Sequence, residues 1–466
     1  MVRLFAVLFL IAAAGGCRHG GPEPFESAGQ YRQVPFVIPA GDLAAQSVMA
    51  AGDVSEPNGV LTLRDALVLT LRHNHELKAL SYEVKAAGAR QLQAGLWENP
   101  ELSLEVEDVG GSGPYSGTGA AETTIQLSQL IELGNKAQKR AKVFSYDTEL
   151  ANMDYEARRL DIFTDLTKTF TELLYVEQKQ VLSQDLIATL GHIADSTDRR
   201  VQAGKDSALD LSKARAALAK ARVQHQAVET YKDFLRKKLS SYWGSQSPGY
   251  FSPAGSLEQI WTIPSLDELQ HLLQSNPDVA RWAIEVQKRR AEVESARVRS
   301  IPNITVGGGV KQFNETDDTA FVIGLSIGLP IANNNQGERL EASHNLSKAS
   351  EQKQAAELAA WNELNRLYAH LYNAHRKATA YKNEILTSCG EVFGASQISY
   401  DEGKIDYLTL LDAQRTYFES QNEYLDALSD YHLYRTELER LIGRGLDELN
   451  PYPTGMIIPR AKAANG

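Results

Sequence analysis

The stretch YDEGKIDYLTLLDAQ (Tyr400–Gln414) places a single glycine between two long runs of helical character. Earlier in the chain the stretch VQAGKDSALDLSKAR (Val201–Arg215) again has a glycine followed by a lysine. Glycine suits a helix reversal, because the residue that turns the chain needs a positive φ, which costs other residues energy. Each stretch therefore predicts the tip of a helical hairpin, one at Gly204 and one at Gly403.

The similarity of the two tips extends outward along both halves of the chain. An offset of 199 residues lays Gly204 on Gly403 and Leu209 on Leu408. An offset of 202 residues aligns the earlier parts of the halves, pairing Leu67 with Leu269, Asn74 with Asn276, Val84 with Val286, Ala94 with Ala296, and Pro100 with Pro302. Such self-similarity is the signature of an internal repeat. We expect two structural units, residues 61–259 and 260–445, with the same order of elements.

Each unit begins with a mainly helical segment that stops at a proline, Leu63–Trp97 in the first and Leu266–Ser300 in the second. A strand pair follows, at 101–131 and at 303–330, in which apolar residues alternate with polar ones. Strands of about 9–11 residues with one apolar face are what an outer-membrane β-barrel requires, and a half-buried hairpin of a soluble protein has the same period.

Two long segments, 136–202 and 336–402, contain no proline. At about 1.5 Å per residue they would form helices on the order of 100 Å long. Their apolar residues recur at steps of three and four, a narrow stripe typical of coiled-coil packing: Leu166, Phe170 and Leu173, then Leu364, Leu367 and Leu371. Each long helix should reverse at its glycine and return as 207–243 or 406–443.

The number of strands predicts an oligomer. Two hairpins supply four strands per chain, too few to close a barrel, and open strand edges are not tolerated in lipid. Three copies would supply twelve strands and twelve helical passes. The expected fold class is mainly α with a transmembrane β-barrel contribution, in which duplicated units of long coiled-coil helices and a β-hairpin form a trimeric α-barrel and β-barrel tube.

The N-terminus, MVRLFAVLFLIAAAGGC, has the basic, apolar and small-residue regions of a secretory signal, which we assign to residues 1–16. Small residues that run into Cys17 are typical of a bacterial lipoprotein, in which this cysteine is acylated; the alternative is an ordinary signal with an incidental cysteine. Residues 17–60 are expected to form a lipidated tether and 446–466 a tail. Beyond the signal there is no apolar run of the ~18–20 residues that a membrane-spanning helix needs.

Composition argues against several other functions. The formal net charge is -11, and Lys and Arg are interspersed with acids, so a nucleic-acid partner is not expected. The chain lacks the HExxH string, a phosphate-binding Gly-rich loop, a nucleophile elbow and a Cys–Xaa–Xaa–Cys pair, which gives no template for an enzyme. Its ten His are scattered and it has only four Met, so neither a dedicated metal site nor a cofactor is expected.

The order of elements, together with the tip sequences AGKDSALDLSKA and YDEGKIDYLTLLDA, resembles the TolC-type outer-membrane efflux factors over about Leu61–Gly445. The segments LSQLIELGNKAQKR and GLPIANNNQGERLEA look most like the CzcC/CusC-like cation-efflux branch. The resemblance implies a homotrimer, lipid-anchored in the outer membrane of a Gram-negative bacterium. It would act as the passive exit duct of a tripartite system, receiving heavy-metal cations from a periplasmic adaptor and a proton-driven, RND-type inner-membrane transporter.

Two alternatives stay open at this point. One is a duct for drugs or secreted polypeptides, because the lumen would contact many substrates weakly. The other is a structural coiled-coil lipoprotein of the envelope, although a spacer would have no use for two membrane-length strand hairpins.

The resemblance also implies roles at the tips. Asp210 and Asp412 are similar to family positions in the closing contacts and the constriction, and Tyr400 resembles a gate tyrosine. Thr409 and Ile405 stand where an aspartate and an arginine can occur, so the resemblance does not extend to a salt-bridge latch of the usual composition. The alternative for Asp210 and Asp412 is that each only solvates the start of a helix.

Overall fold

The computed structural model describes residues 57, 59–246, 249 and 251–446. Several expectations concern residues outside these ranges, namely those for the signal segment 1–16, for Cys17, for most of the tether and for all but the first residue of the tail. Within them the chain is mainly helical, with four long helices and a four-stranded sheet.

The first half contains a strand β1 (Gly59–Thr62), helices α1 (Leu63–His73) and α2 (His75–Gly95), strands β2 (Glu101–Glu107) and β3 (Glu122–Ile131), and long helices α3 (Lys136–Gln202) and α4 (Ala208–Ser241). A short 3-10 turn at Gly113–Tyr115 lies between β2 and β3.

The second half contains β4 (Phe251–Ala254), α5 (Leu266–Gln270), a 3-10 turn (Leu273–Ser275), α6 (Pro277–Arg299), β5 (Ile304–Phe313), β6 (Asp318–Ile327), α7 (Gln336–Ala380), a π-helical turn (Tyr381–Ile385), α8 (Leu386–Asp401) and α9 (Tyr407–Ile442).

The initial helical segment of each half is broken at an asparagine that the repeat alignment pairs. Asn74 and Asn276 both have extended backbones and cap the next helix, accepting hydrogen bonds from Leu77 N and Asp278 N. The Asn74 amide also donates to the Tyr242 carbonyl at 2.9 Å, and Asn276 donates to carbonyls at the end of α9. Each asparagine therefore ties a helix start to the end of the returning helix.

The first long helix has the predicted bounds, since α3 runs over 67 residues without interruption. The second differs from expectation, because the π turn separates the 45 residues of α7 from the 16 of α8.

None of the helices in the described ranges is both long and apolar enough to cross a membrane. The apolar stripes form two cores, with Leu166, Phe170 and Leu173 in one and Leu364, Leu367 and Leu371 in the other.

The two predicted hairpins join in one antiparallel sheet of order β2-β3-β5-β6. The register places Leu104, Ile125, Val310 and Phe321 in one row across the sheet. Because neighbouring residues of a strand point to opposite faces, all the charged residues of these strands share the other face: Glu101, Glu105, Glu107, Glu122, Lys311 and Asp318. One face of the sheet is therefore free of charge.

The tether prediction is wrong at its end. Gly59 and Val60 belong to β1, which pairs in parallel with β4 rather than running loosely along the surface. Leu61 and Phe251 at this contact are buried in the first core. The pair is four residues long and its strands are distant in sequence, so no local pattern predicts it.

Candidate functional site: the paired tips of the helical hairpins

Both predicted tips are tight helix reversals. Gly204 and Gly403 have φ of 72° and 80°, which confirms the expected left-handed conformation. At the first tip, Gly204 N donates to Val201 O at 2.9 Å and Lys205 N to Arg200 O at 2.8 Å, and the second tip repeats this pattern. These two bonds form a Schellman motif, which satisfies carbonyls at the helix end. Any other residue at either glycine would be strained.

An ion pair and a tyrosine join the two tips. Arg200, in the last turn of α3, donates from Nε and Nη2 to both carboxylate oxygens of Asp206, at 2.8 and 3.0 Å. The Tyr400 hydroxyl, from the last turn of α8, donates to the same carboxylate at 2.6 Å. Arg200 Nη1 also donates to the Tyr400 carbonyl at 2.6 Å, and the guanidinium lies 4.4 Å from the centre of the Tyr400 ring. We call Arg200, Asp206 and Tyr400 the latch, because it connects the first hairpin to the second.

The latch is shielded from water. Tyr400 is 1% exposed, and the side chains of Arg200 and Asp206 are 14% and 9% exposed. The buried hydroxyl of Thr197 lies 2.9 Å from the Tyr400 hydroxyl. A second contact between the hairpins runs outside the latch, from Ser196 Oγ to Asp401 at 2.8 Å. Low exposure strengthens these hydrogen bonds, because water competes less for their polar groups.

An apolar cluster, which we call the tip cluster, lies against the latch. It combines residues of α3, α4, α8 and α9 in one core: Ile193, Ala194, Ala214, Tyr400, Tyr407 and Leu410, with Phe393, Ile405 and Leu411 packed against it. Ile405, one of the two positions at which the sequence departs from the resemblance, thus contributes to packing.

The electrostatics of the latch favour its charged state. The hydrogen bond from Arg200, and next the one from Tyr400, lower the pKa of Asp206, while partial burial opposes this. The hydrogen bond to Asp206 raises the pKa of Arg200. Burial and the hydrogen bond to Asp206 raise the pKa of Tyr400 to about 12, so the tyrosine stays a donor at neutral pH.

The acidic positions predicted from the sequence lie at or near the starts of the returning helices. Ser207, the N-cap of α4, accepts from Asp210 N at 3.1 Å and donates from Oγ to the Asp210 carboxylate at 2.6 Å. Asp406 caps α9 by accepting from the backbone and hydroxyl of Thr409. Asp412 is exposed on the next turn of α9. Asp210 therefore supports a helix start, as the alternative interpretation expects, and the bonds of Tyr400 in the described structure go to other residues.

Sequence reasoning missed two of the three latch residues. Arg200 lies in the last turn of a helix, and Asp206 lies two residues after Gly204. Charged residues are common at both kinds of position without any further role. The available signal was the repeat itself, because the 199-residue offset places Ser399 opposite Arg200 and Ile405 opposite Asp206. Within the described ranges, no cluster of three or more His, Cys, Asp or Glu could hold a metal ion.

The sequence model of the outer membrane efflux proteins matches residues 66–245 and 269–444, most of both halves of the chain. The chain belongs to this family. It is 31% identical to the cobalt-zinc-cadmium resistance protein CzcC of Cupriavidus metallidurans over 84% of this chain and 91% of that protein. The nickel-cobalt-cadmium resistance protein NccC of Alcaligenes xylosoxydans is 22% identical over 54% of this chain and 57% of its own length.

Solved structures show the same fold. CusC has a TM-score of 0.71 at 16% identity, covering 86% of this chain and all of that one. The outer membrane protein VceC of Vibrio cholerae has a TM-score of 0.69 at 16% identity, covering 82% and 96%. Membership of the family identifies the chain as a TolC-like outer-membrane efflux channel, a class of transport ducts and not of enzymes. The expected fold class, a helical tube with a β contribution, is confirmed.

Proposed function

We propose that three copies of the chain form a passive exit duct that carries heavy-metal cations across the outer membrane, and that the paired tips are its periplasmic gate. The duct would receive its cargo from a periplasmic adaptor and a proton-driven, RND-type inner-membrane transporter.

The sheet supports the membrane insertion and the trimer. Its charge-free face exposes large side chains, among them Leu102, Leu104, Phe321, Ile323 and Leu325, and Ile323 is 88% exposed. The edge strands β2 and β6 each pair on one side only within the described chain. Since an unpaired edge is not tolerated in lipid, we infer that β2 of one copy pairs with β6 of the next, and that three copies close a twelve-stranded barrel.

The opposite face of the sheet supports a cationic cargo. It carries five carboxylates and one lysine per chain, and Lys311 is paired with Glu107 at 3.1 Å and with Glu122. In a closed barrel this face would line the lumen, where an excess of carboxylates attracts cations. The relatives named for cobalt, zinc, cadmium and nickel resistance favour the same class of cargo.

The tips supply the gate in this proposal. The latch joins α8 to the end of α3 and to the turn before α4 within one chain. Asp412, exposed on α9, would form a ring of three carboxylates around the axis of the trimer, and Thr409 would lie in a neighbouring ring without charge. Such a ring narrows the pore and favours cations over anions.

The tips also offer a surface for the adaptor. Leu209 and Leu408 occupy equivalent positions in the first turns of α4 and α9 and are 64% and 54% exposed. A trimer would present six of these leucines around the tube end, a pattern that suits a partner with repeated apolar contacts. Acylation of Cys17 would add a lipid anchor on the membrane side.

The cargo is tested in the host of this chain by deleting its gene and measuring growth in graded metal concentrations. We expect lower tolerance of cobalt, zinc and cadmium, restored by the gene on a plasmid, with unchanged tolerance of organic solvents. Loss of solvent tolerance alone would instead favour the drug duct, in line with relatives named for solvent and toluene efflux.

The oligomer is tested on the full chain extracted in detergent. Native mass measurement should give a stable trimer. A monomer or dimer as the stable species would contradict the closure of the barrel by three copies.

A further inference from the structure

The two edge strands, β2 and β6, have equivalents elsewhere in the same chain. The 202-residue offset that pairs Pro100 with Pro302 lays β2 on β5. An offset of 200 residues lays β3 on β6, because Asn135 and Asn335 directly precede α3 and α7 and share the left-handed conformation. Within one chain, β3 of the first half pairs with β5 of the second. The edge strands β6 and β2 are therefore the equivalents of two strands whose pairing is observed.

The registers of the two hairpins test these offsets independently. In the first hairpin, Leu102 lies opposite Leu127. The offsets turn this pair into Ile304 opposite Ile327, which is the register that the second hairpin has. The two hairpins are therefore equivalent residue by residue, so that a contact of one predicts the contact of the other.

We propose that the seam between neighbouring copies repeats the seam between β3 and β5 in the same register. In a ring of copies, each half would then meet the next half in the same way, whether the two halves belong to one chain or to two. Leu127 of β3 lies opposite Gly308 of β5. Its equivalent, Ile327 of one copy, would therefore lie opposite Val106 of the next. This inference rests on the proposed trimer, to which it adds the residues that meet at the seam.

The apolar face of the sheet agrees with this register. Just beyond the end of β6, it places Leu329 opposite Leu104, and both are 68% exposed in the single chain. Together with Ile327 and Val106 they would form one continuous apolar surface across the seam. A slip of one residue would instead place these side chains opposite those of the charged face. A slip of two residues would keep the faces, so the repeat is what decides between these registers.

The starts of the long helices make a second contact between the halves. Lys136 at the start of α3 donates to the Ile301 carbonyl and to Asn303 Oδ1, both at 2.5 Å. This contact joins the first half of the chain to the turn before β5 in the second half. The equivalent of Lys136 is Gln336, the first residue of α7.

The equivalent contact across the seam has matching chemistry. Gln336 is exposed, and its side-chain oxygen accepts from Asn334 N at 3.0 Å, which leaves its amide nitrogen as the donor. The equivalents of the two acceptors are Asn99 and Glu101. Gln336 of one copy would therefore donate to the Asn99 carbonyl and the Glu101 carboxylate of the next copy.

Paired cysteines in the full-length chain carrying Cys389→Ser test the register. On the charged face, the proposal places Ser326 opposite Glu107 of the next copy and Gly328 opposite Glu105. Directly opposed residues have Cα atoms about 4.5–5.5 Å apart, which a disulfide can span. Oxidation of membranes should therefore convert the chains with Ser326→Cys and Glu107→Cys, or with Gly328→Cys and Glu105→Cys, into covalent trimers on a non-reducing gel. The products should not exceed three copies, because the ring is closed.

The exchanged pairs are the matched controls, because they use the same four cysteines. Ser326→Cys with Glu105→Cys, and Gly328→Cys with Glu107→Cys, are displaced by two residues. Their Cα atoms would be about 7–8 Å apart, so these chains should stay monomeric on the gel. Cross-linking of the exchanged pairs instead, or of none of the four in a chain that native mass measurement shows to be a trimer, would overturn the register. A wild-type chain that is not a trimer would contradict the proposed duct itself.

The helix starts allow a second test that needs no oxidation. Gln336→Glu would place a carboxylate next to Glu101 of the next copy, where like charges repel, and should lower the temperature at which the trimer dissociates. Adding Glu101→Lys to this variant should restore that temperature, because the two side chains would then carry opposite charges. If folded Gln336→Glu dissociates at the same temperature as wild type, the seam does not repeat the contact of Lys136.

Discussion

Replacing Tyr400 by phenylalanine should weaken the closed tip with little other damage. The substitution removes the hydroxyl that donates to Asp206 at 2.6 Å and keeps the ring that packs in the tip cluster. It leaves no charge unpaired, because Asp206 retains both hydrogen bonds from Arg200, and it leaves Thr197 bonded to the Ile193 carbonyl at 2.8 Å. The measured change therefore reports the loss of this tyrosine bond.

The size of the effect follows from the type of bond. A hydrogen bond to a charged group contributes about 1.5–3 kcal/mol, and the low exposure of the latch places this one within that range. Since about 1.4 kcal/mol corresponds to a factor of ten, the ratio of open to closed tips should rise about 10- to 150-fold per chain. Planar-bilayer recordings should show a matching gain in the time spent at high conductance.

Tyr175→Phe is the control for general loosening of the two hairpins. The Tyr175 hydroxyl donates to Asp426 at 2.6 Å and so makes a bond of the same length and type between α3 and α9, away from the tip. It should lower the thermal stability at least as much as Tyr400→Phe without changing the conductance ratio. If both variants open the channel equally, or if folded Tyr400→Phe behaves as wild type, the latch does not control the gate.

Three further predictions concern pH, the anchor and selectivity. The pKa of Asp206 is lowered from 3.8, so its stabilising effect is present above that pH and is lost as the pH falls through the lower pKa of the folded state. Conductance should therefore be constant from pH 8 to about 4 and increase only below pH 4. An increase between pH 5 and 7 would exclude Asp206 as the titrating group. Cys17→Ser should abolish incorporation of a clickable fatty acid while export continues, and unchanged labelling would show that Cys17 is not acylated. Asp412→Ala should reduce the preference of the pore for cations and its block by multivalent cations, because the field of a narrow carboxylate ring is poorly screened. Thr409→Asp should strengthen that block. If Asp210→Ala changes selectivity and Asp412→Ala does not, the ring lies on the other hairpin.

The fold could be predicted from the sequence wherever its cause is local. Glycine at positive φ, alternation along the strands and proline-free helical runs are all set by residues close in the chain, so Gly204, Gly403, α3 and the two strand hairpins match expectation. The parallel pair of β1 and β4 does not, because it depends on contact between distant segments. The π turn in the second long helix also has no sequence signal that distinguishes it from its counterpart in α3.

The candidate site departs from the repeat for a reason that the structure makes plain. Under the offset of 199 residues, the counterparts of Arg200, Asp206, Tyr400 and Tyr407 are Ser399, Ile405, Val201 and Ala208. The observed contact is asymmetric, because the charged pair of Arg200 and Asp206 lies on the first hairpin and Tyr400 of the second hairpin binds both of its members. Duplication thus supplies the turn and the helix caps twice, whereas this latch uses residues that only one of the copies carries. In a duplicated chain of this kind, a contact between the halves should be sought first next to an unchanged turn, at positions where equivalent residues differ in charge or size.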